Sequence, residues 1–157
     1  MSPNVKSKLS FDGQNIVSVL ITLIVLGFFI TMALLGTHEL AHAYTAKFLG
    51  CKNVLISFDI FENLVFTNLS CQKDVDVFFI GIAGLIATII LSFSFLLSAK
   101  ATEKKLWLIS MGMSTLLALS DIQVIFGDII FFLSFFIGLL VLVIGAVHFV
   151  EAHFEFE

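Results

Sequence analysis

Two histidines and a glutamate stand in a stretch of chain that otherwise carries almost nothing but apolar side chains: Thr37-His38-Glu39-Leu40-Ala41-His42. On a helix, residues four apart lie one turn apart on the same face, so His38 and His42 can offer their imidazoles to one tetrahedral metal ion. Glu39 lies beside them. From there a carboxylate can take a proton from a water activated by the metal and pass it to a leaving amine, so the pattern points to a single Zn2+ with Glu39 as the catalytic base. The competing reading is a buried hydrogen-bonded cluster that glues helices together. It is the weaker one, because ionisable groups inside an apolar span cost about 2.5–3.5 kcal/mol each on insertion scales and ask for a function.

Catalytic zinc usually has three protein ligands and an open position for water, so a third ligand must come from elsewhere. The candidates are Asp121 and Asp128, in Leu119-Ser120-Asp121-Ile122-Gln123-Val124-Ile125-Phe126-Gly127-Asp128, the carboxylates of that apolar half. The competing readings for them are a solvated loop residue and a helix N-cap, which suit one of the two better than both. His148, Glu151 and His153, near the C-terminal end, read as a wet interfacial tail rather than a second metal site.

The elements that must position these groups follow from composition. Of 157 residues, 59% are hydrophobic and 13% charged, against about 45–50% and about 25% in an ordinary soluble domain. At this size so much apolar surface cannot all be buried, and it must face lipid or a partner. A bilayer core of about 30 Å needs about 20 helical residues, and four stretches meet or approach that length: 16–49, 75–97, 106–119 and 129–150. The third is short, and is expected to be shielded by neighbours or to lead into a non-helical stretch lining a cavity. The expected architecture is an all-α polytopic membrane protein of about four transmembrane helices in one domain over residues 1–157. His38 and His42 fall in the last third of the first span, and the connection after the third span emerges on the same side, so the candidate ligands can meet.

Between the first two spans, residues 51–73 are rich in β-branched and aromatic residues around Glu62-Asn63, which predicts a small β-hairpin. Cys51 and Cys71 bracket its base; they pair only if that side is oxidising, and unpaired thiols are the commoner state. The basic residues are eight lysines without a cluster, which excludes a nucleic-acid footprint. Lys6, Lys8, Lys100, Lys104 and Lys105 fall on one side and Lys47, Lys52 and Lys73 on the other. By the positive-inside rule, both termini are expected in the cytoplasm, in a multi-pass protein of the cell membrane.

The chain from about Thr31 to Phe131 resembles the site-2 protease family of intramembrane zinc metalloproteases. The His38 to His42 motif matches the family's zinc motif in full. Ala83-Gly84-Leu85-Ile86-Ala87-Thr88 looks like the family's Ala-Gly-Pro-x-x-Asn signature, with Leu85 in place of Pro and Thr88 in place of Asn. The resemblance thus gives Gly84 and Thr88 a role in supporting the substrate or the transition state; without it, Gly81 and Gly84 would be read as small residues permitting close helix packing. The family's third motif, an Asp-Gly at the start of the last core helix, supplies its remaining zinc ligand. Ser120-Asp121 followed by Ile125 fits it, whereas Gly127-Asp128 reverses the order, so Asp121 is favoured over Asp128. The proline-rich approach of the family is missing here, since Pro3 is the only proline. The hairpin corresponds to a family β-element that can present a strand edge to an unwound substrate.

The resemblance therefore implies a zinc metalloendopeptidase acting on transmembrane or membrane-adjacent protein segments, with the lipid bilayer as its surroundings and a homo-oligomer or a regulatory membrane partner left open. Two alternatives stand beside it: a non-enzymatic membrane protein that binds or transports metal through the same histidines, and a catalytically inactive homologue acting as a scaffold. An esterase acting on lipid would use the same metal chemistry.

Overall fold

The computed structural model describes residues 13–59, 64–70, 74–98 and 101–154. The chain runs α1 (Gly13–Phe48), β1 (Lys52–Asp59), β2 (Leu64–Ser70), α2 (Asp74–Ser94), a 3-10 turn (Phe95–Leu97), α3 (Ala101–Leu117), α4 (Leu119–Phe126) and α5 (Asp128–Phe154). Three helical segments are long and apolar enough to cross a membrane: Val17–Phe48, Val77–Leu97 and Asp128–Ala152. A fourth arises if α3 and α4, bent by 51° at Ala118, form one broken span. These apolar helices fit an integral membrane protein, and their outer faces carry exposed large side chains such as Ile24, Phe28, Phe29, Phe132, Phe136 and Leu140.

α1 is uninterrupted because its sequence lacks proline and its polar residues satisfy themselves. The Thr22, Thr31 and Thr37 hydroxyls each donate to the carbonyl four residues back, at 2.9, 2.7 and 2.8 Å, which needs no water. At 1.5 Å per residue its 36 residues extend about 54 Å. Gly50, at φ +79°, ends it. The Cys51 amide donates to Ala46 O and the Gly50 amide to Lys47 O, the paired pattern of a Schellman stop in which glycine accepts the left-handed conformation. Cys51, just beyond, is disulfide-bonded, against the expectation of a free thiol; Cys71 lies outside the described residues.

The expected β-hairpin is present as two antiparallel strands, with Ile56 opposite Thr67 and Asp59 opposite Leu64, and an irregularity between Lys52 and Leu55. Glu62 and Asn63 lie outside the described residues, as do Lys6, Lys8, Lys73 and Lys100, on which the expected orientation rests.

The core is shared by three helices: Ile30 and Leu34 of α1, Leu106 and Ile109 of α3 and Phe149 of α5. α3 and α5 approach closely where glycine leaves room, since a Cβ on Gly112 would stand 2.7 Å from Leu142 N and one on Gly145 2.7 Å from Ile109 N. The third span differs from its expected form. It begins at Ala101, and the connection from 121 to 128, expected to be irregular, is mostly the helix α4. After the bend no glycine or proline occurs until Gly127, which stops α4 at φ +81°. Asp121 thus sits in the first turn of a helix rather than in a loop, where the exposed amides of the N-terminus favour a carboxylate.

Candidate metal centre

His38 and His42 point from one face of α1 into the bundle, where they and Glu39 are buried, with 3%, 6% and 7% of their surface exposed. The two rings meet edge to face, centroids 4.4 Å apart, with the Nε2 atoms 2.9 Å from each other. Across the bend, α4 brings Asp121 to the same point: its Oδ2 lies 2.8 Å from His38 Nε2 and 3.2 Å from His42 Nε2.

Three ligand atoms from two parts of the chain therefore converge. Metal-bound nitrogens or oxygens about 2.0–2.1 Å from a tetrahedral ion stand about 3.3 Å from each other, so the observed separations fit after an expansion of a few tenths of an ångström. A second observation agrees. Asp121 Oδ2 is buried yet makes no aligned hydrogen bond among the described residues, despite its two close nitrogen neighbours, as expected where lone pairs rather than a donor and an acceptor face each other. His38, Glu39 and His42 also form a group that could hold a metal ion, with ligand atoms within 4.8 Å of one another.

The surroundings prepare His42 for that task. Its Nδ1 lies 2.6 Å from the carbonyl oxygen of Ile80 in α2. A carbonyl can only accept, so Nδ1 carries the proton and the lone pair of a neutral ring is left on Nε2, facing His38 and Asp121. One turn on, Gly84 presses against both rings: a Cβ there would stand 2.6 Å from His42 Nε2 and 2.7 Å from His38 Cε1. Gly81 does the same toward α4, with Ile125 Cδ1 2.6 Å from its would-be Cβ. Three residues apart on one face of α2, these glycines let that helix pack closely against both α1 and α4.

Glu39 receives a hydrogen bond from the other side. Thr67 of β2 donates its hydroxyl to Glu39 Oε2 at 2.6 Å, with the backbone oxygen of Glu39 a longer second acceptor at 3.2 Å. Next to this group opens a cavity of about 350 Å³, lined by His38, Glu39, His42, Thr67, Ser120 and Asp121 together with apolar side chains of α1, α2 and α4.

The structure thus brings together His38, Glu39, His42 and Asp121, and holds Gly84 against the imidazoles. It does not bring Asp128 to them. That carboxylate is exposed at the start of α5, where Oδ1 accepts from Gln123 Nε2 at 3.0 Å. Thr88 also stands apart from the cavity. Fully buried, it donates its hydroxyl to Gly84 O and Leu85 O of its own helix at 3.1 and 3.0 Å, and its carbonyl joins a cluster with Ser92, Ser110 and Ser114 that ties α2 to α3. Near the end of α5, the His148 Nδ1 proton faces Glu151 Oε2 at 3.2 Å in an exposed pair; the His153 side chain lies outside the described residues. Sequence reasoning missed Thr67 and the Ile80 carbonyl. Neither has a local signal, since one is a threonine in a strand and the other a backbone atom. Comparison with protein-family models, with curated proteins and with solved structures finds no match.

Proposed function

We propose that this chain is a multi-pass membrane zinc metalloendopeptidase similar to the site-2 protease family, cleaving transmembrane or membrane-adjacent segments. The observation that carries the reading is the meeting of His38 Nε2, His42 Nε2 and Asp121 Oδ2 beside Glu39, at the wall of a cavity within long apolar helices. Three nitrogen and oxygen ligands that leave a fourth position open are the set of a catalytic rather than a structural zinc site. Bound there, zinc would bring the pKa of a water molecule to about 7 and polarise the scissile carbonyl.

The protein's own residues supply the rest. Glu39 takes the proton of the attacking water and delivers it to the leaving nitrogen. His42 keeps its orientation through the Ile80 carbonyl, and Gly84 leaves the rings the space they occupy. The cavity, about 350 Å³, has room for water and for a short length of backbone beside the reacting groups. In this reading the termini lie in the cytoplasm and the strands on the opposite side.

One observation favours a second reading, an inactive or purely metal-binding protein. The α2 residues that line the cavity are Val77, Ile80 and Gly81, so among the described residues no α2 side chain offers a donor to a developing oxyanion. Glu39→Gln separates the two. Protein purified in detergent should bind about one zinc and cleave a transmembrane peptide. Glu39→Gln should keep the metal and lose activity by about 10²-fold or more. Unchanged cleavage, or zinc-loaded wild type with no cleavage of any segment tried, would leave metal binding as the function.

A further inference from the structure

We propose that Thr67 is the positioning residue of the base Glu39, so that strand β2 sets the catalytic geometry of helix α1; this rests on the protease reading above. A glutamate reaches its work through three side-chain torsions. One next to a metal centre must be held within a few tenths of an ångström to meet the proton it removes.

The Glu39 backbone is fixed by α1, but its carboxylate is not. The contact that holds it comes from the Thr67 hydroxyl, at 2.6 Å from Oε2. A hydroxyl has one proton to give, and the shorter distance assigns it to the carboxylate rather than to Glu39 O at 3.2 Å. A residue serving only to dock the strands on α1 would be content with the backbone oxygen.

Thr67 is itself held in place from outside the bundle. It sits in β2 opposite Ile56 of β1, and its side chain is half-buried at the cavity wall. The carboxylate is therefore held between a membrane helix and a two-stranded sheet. A shift of the sheet moves the base without touching the metal ligands, which belong to α1 and α4.

The test uses the full chain in detergent, comparing wild type with Thr67→Val, which keeps the shape and loses the donor, Thr67→Ser, which keeps the donor, and Glu39→Gln. Zinc content, kcat and KM for a transmembrane peptide are measured, together with the carboxylate stretch of Glu39, isolated by infrared subtraction of the Glu39→Gln spectrum. Thr67→Val is expected to retain zinc and KM and to lose about 10–100-fold in kcat, the range for removing an outer-shell partner. Thr67→Ser should restore most of that loss. The Glu39 band should shift in Thr67→Val and stay near its wild-type position in Thr67→Ser. If Thr67→Val fails to fold, the wild-type band still decides, since a carboxylate without a hydroxyl donor has the frequency of a free one. Full kcat in Thr67→Val alongside an inactive Glu39→Gln overturns the assignment and leaves the protease standing. A rise in KM with kcat intact also overturns it, in favour of a substrate contact. Wild-type activity in Glu39→Gln fells the protease reading itself, and the infrared shift then still reports whether the contact exists.

Discussion

Adding one methyl group at Gly84 should sharply weaken metal binding without replacing a ligand. An alanine Cβ would stand 2.6 Å from His42 Nε2, 2.7 Å from His42 Cε1 and 2.7 Å from His38 Cε1, where ordinary contact begins at 3.4 Å. Either both rings retreat by about 0.7 Å or α2 does. His42 cannot retreat freely, because its Nδ1 is bonded to Ile80 O at 2.6 Å, and Ile80 belongs to the same helix as Gly84. A shift of α2 instead drives Gly81 away from Ile125 and takes Ile80 with it. Ligand distances in a working site are held to within about 0.2 Å, so a displacement of this size should lower zinc affinity by about 100-fold or more, in line with losses of 10–100-fold from milder outer-shell changes. Overpacking should also cost about 1–3 kcal/mol of stability. The assay is competition with a chelator of known affinity, alongside thermal unfolding in detergent. Gly36→Ala is the control: a Cβ there meets nothing within 4 Å, and alanine is the better helix former by about 0.5–1 kcal/mol. Wild-type zinc affinity in Gly84→Ala would refute the claim that α2 braces the imidazoles.

Other outcomes follow from the same contacts. Asp121→Asn should weaken zinc binding by at least 10-fold while Asp128→Asn, whose carboxylate reaches only Gln123 among the described residues, leaves it unchanged; metal titration of the two proteins decides. Ser92→Ala removes a partner shared by Ser110 Oγ and Ser114 Oγ, at 2.7 and 2.9 Å, and should cost about 1–2 kcal/mol in a denaturation curve with zinc content intact. A chelator that strips the metal should abolish cleavage, and zinc added back should restore it. His148→Ala should alter neither zinc content nor cleavage, because its pair with Glu151 is exposed.

The long apolar helices and the His-Glu-x-x-His face could be read directly, because both depend on composition and on a spacing that a helix repeats every turn. The strands between α1 and α2 were legible for a similar reason, since β-branched residues cluster there. Other features were hidden in tertiary geometry. Asp121 and Asp128 are both acids in an apolar setting, and what separates them is the bend at Ala118 and the stop at Gly127, which leave one facing α1 and the other at the start of α5. Thr88 was read through its place in a motif, while its hydroxyl is taken up by its own helix and its carbonyl by Ser92 and Ser114. Packing, not residue type, decides such cases.

The length of α1 has a consequence for hydration. A helix of about 54 Å is far longer than an apolar layer of about 30 Å, so it must tilt or project. The face that carries the two histidines lies near one end: from Phe48, where the helix stops, His42 is about 9 Å back along the axis and His38 about 15 Å. With that end at the lipid boundary, the reactive groups lie no deeper than the middle of the layer. If the chain is the protease proposed above, a short path for water from the strand side would suffice to reach Glu39, with no channel through the full thickness of the membrane.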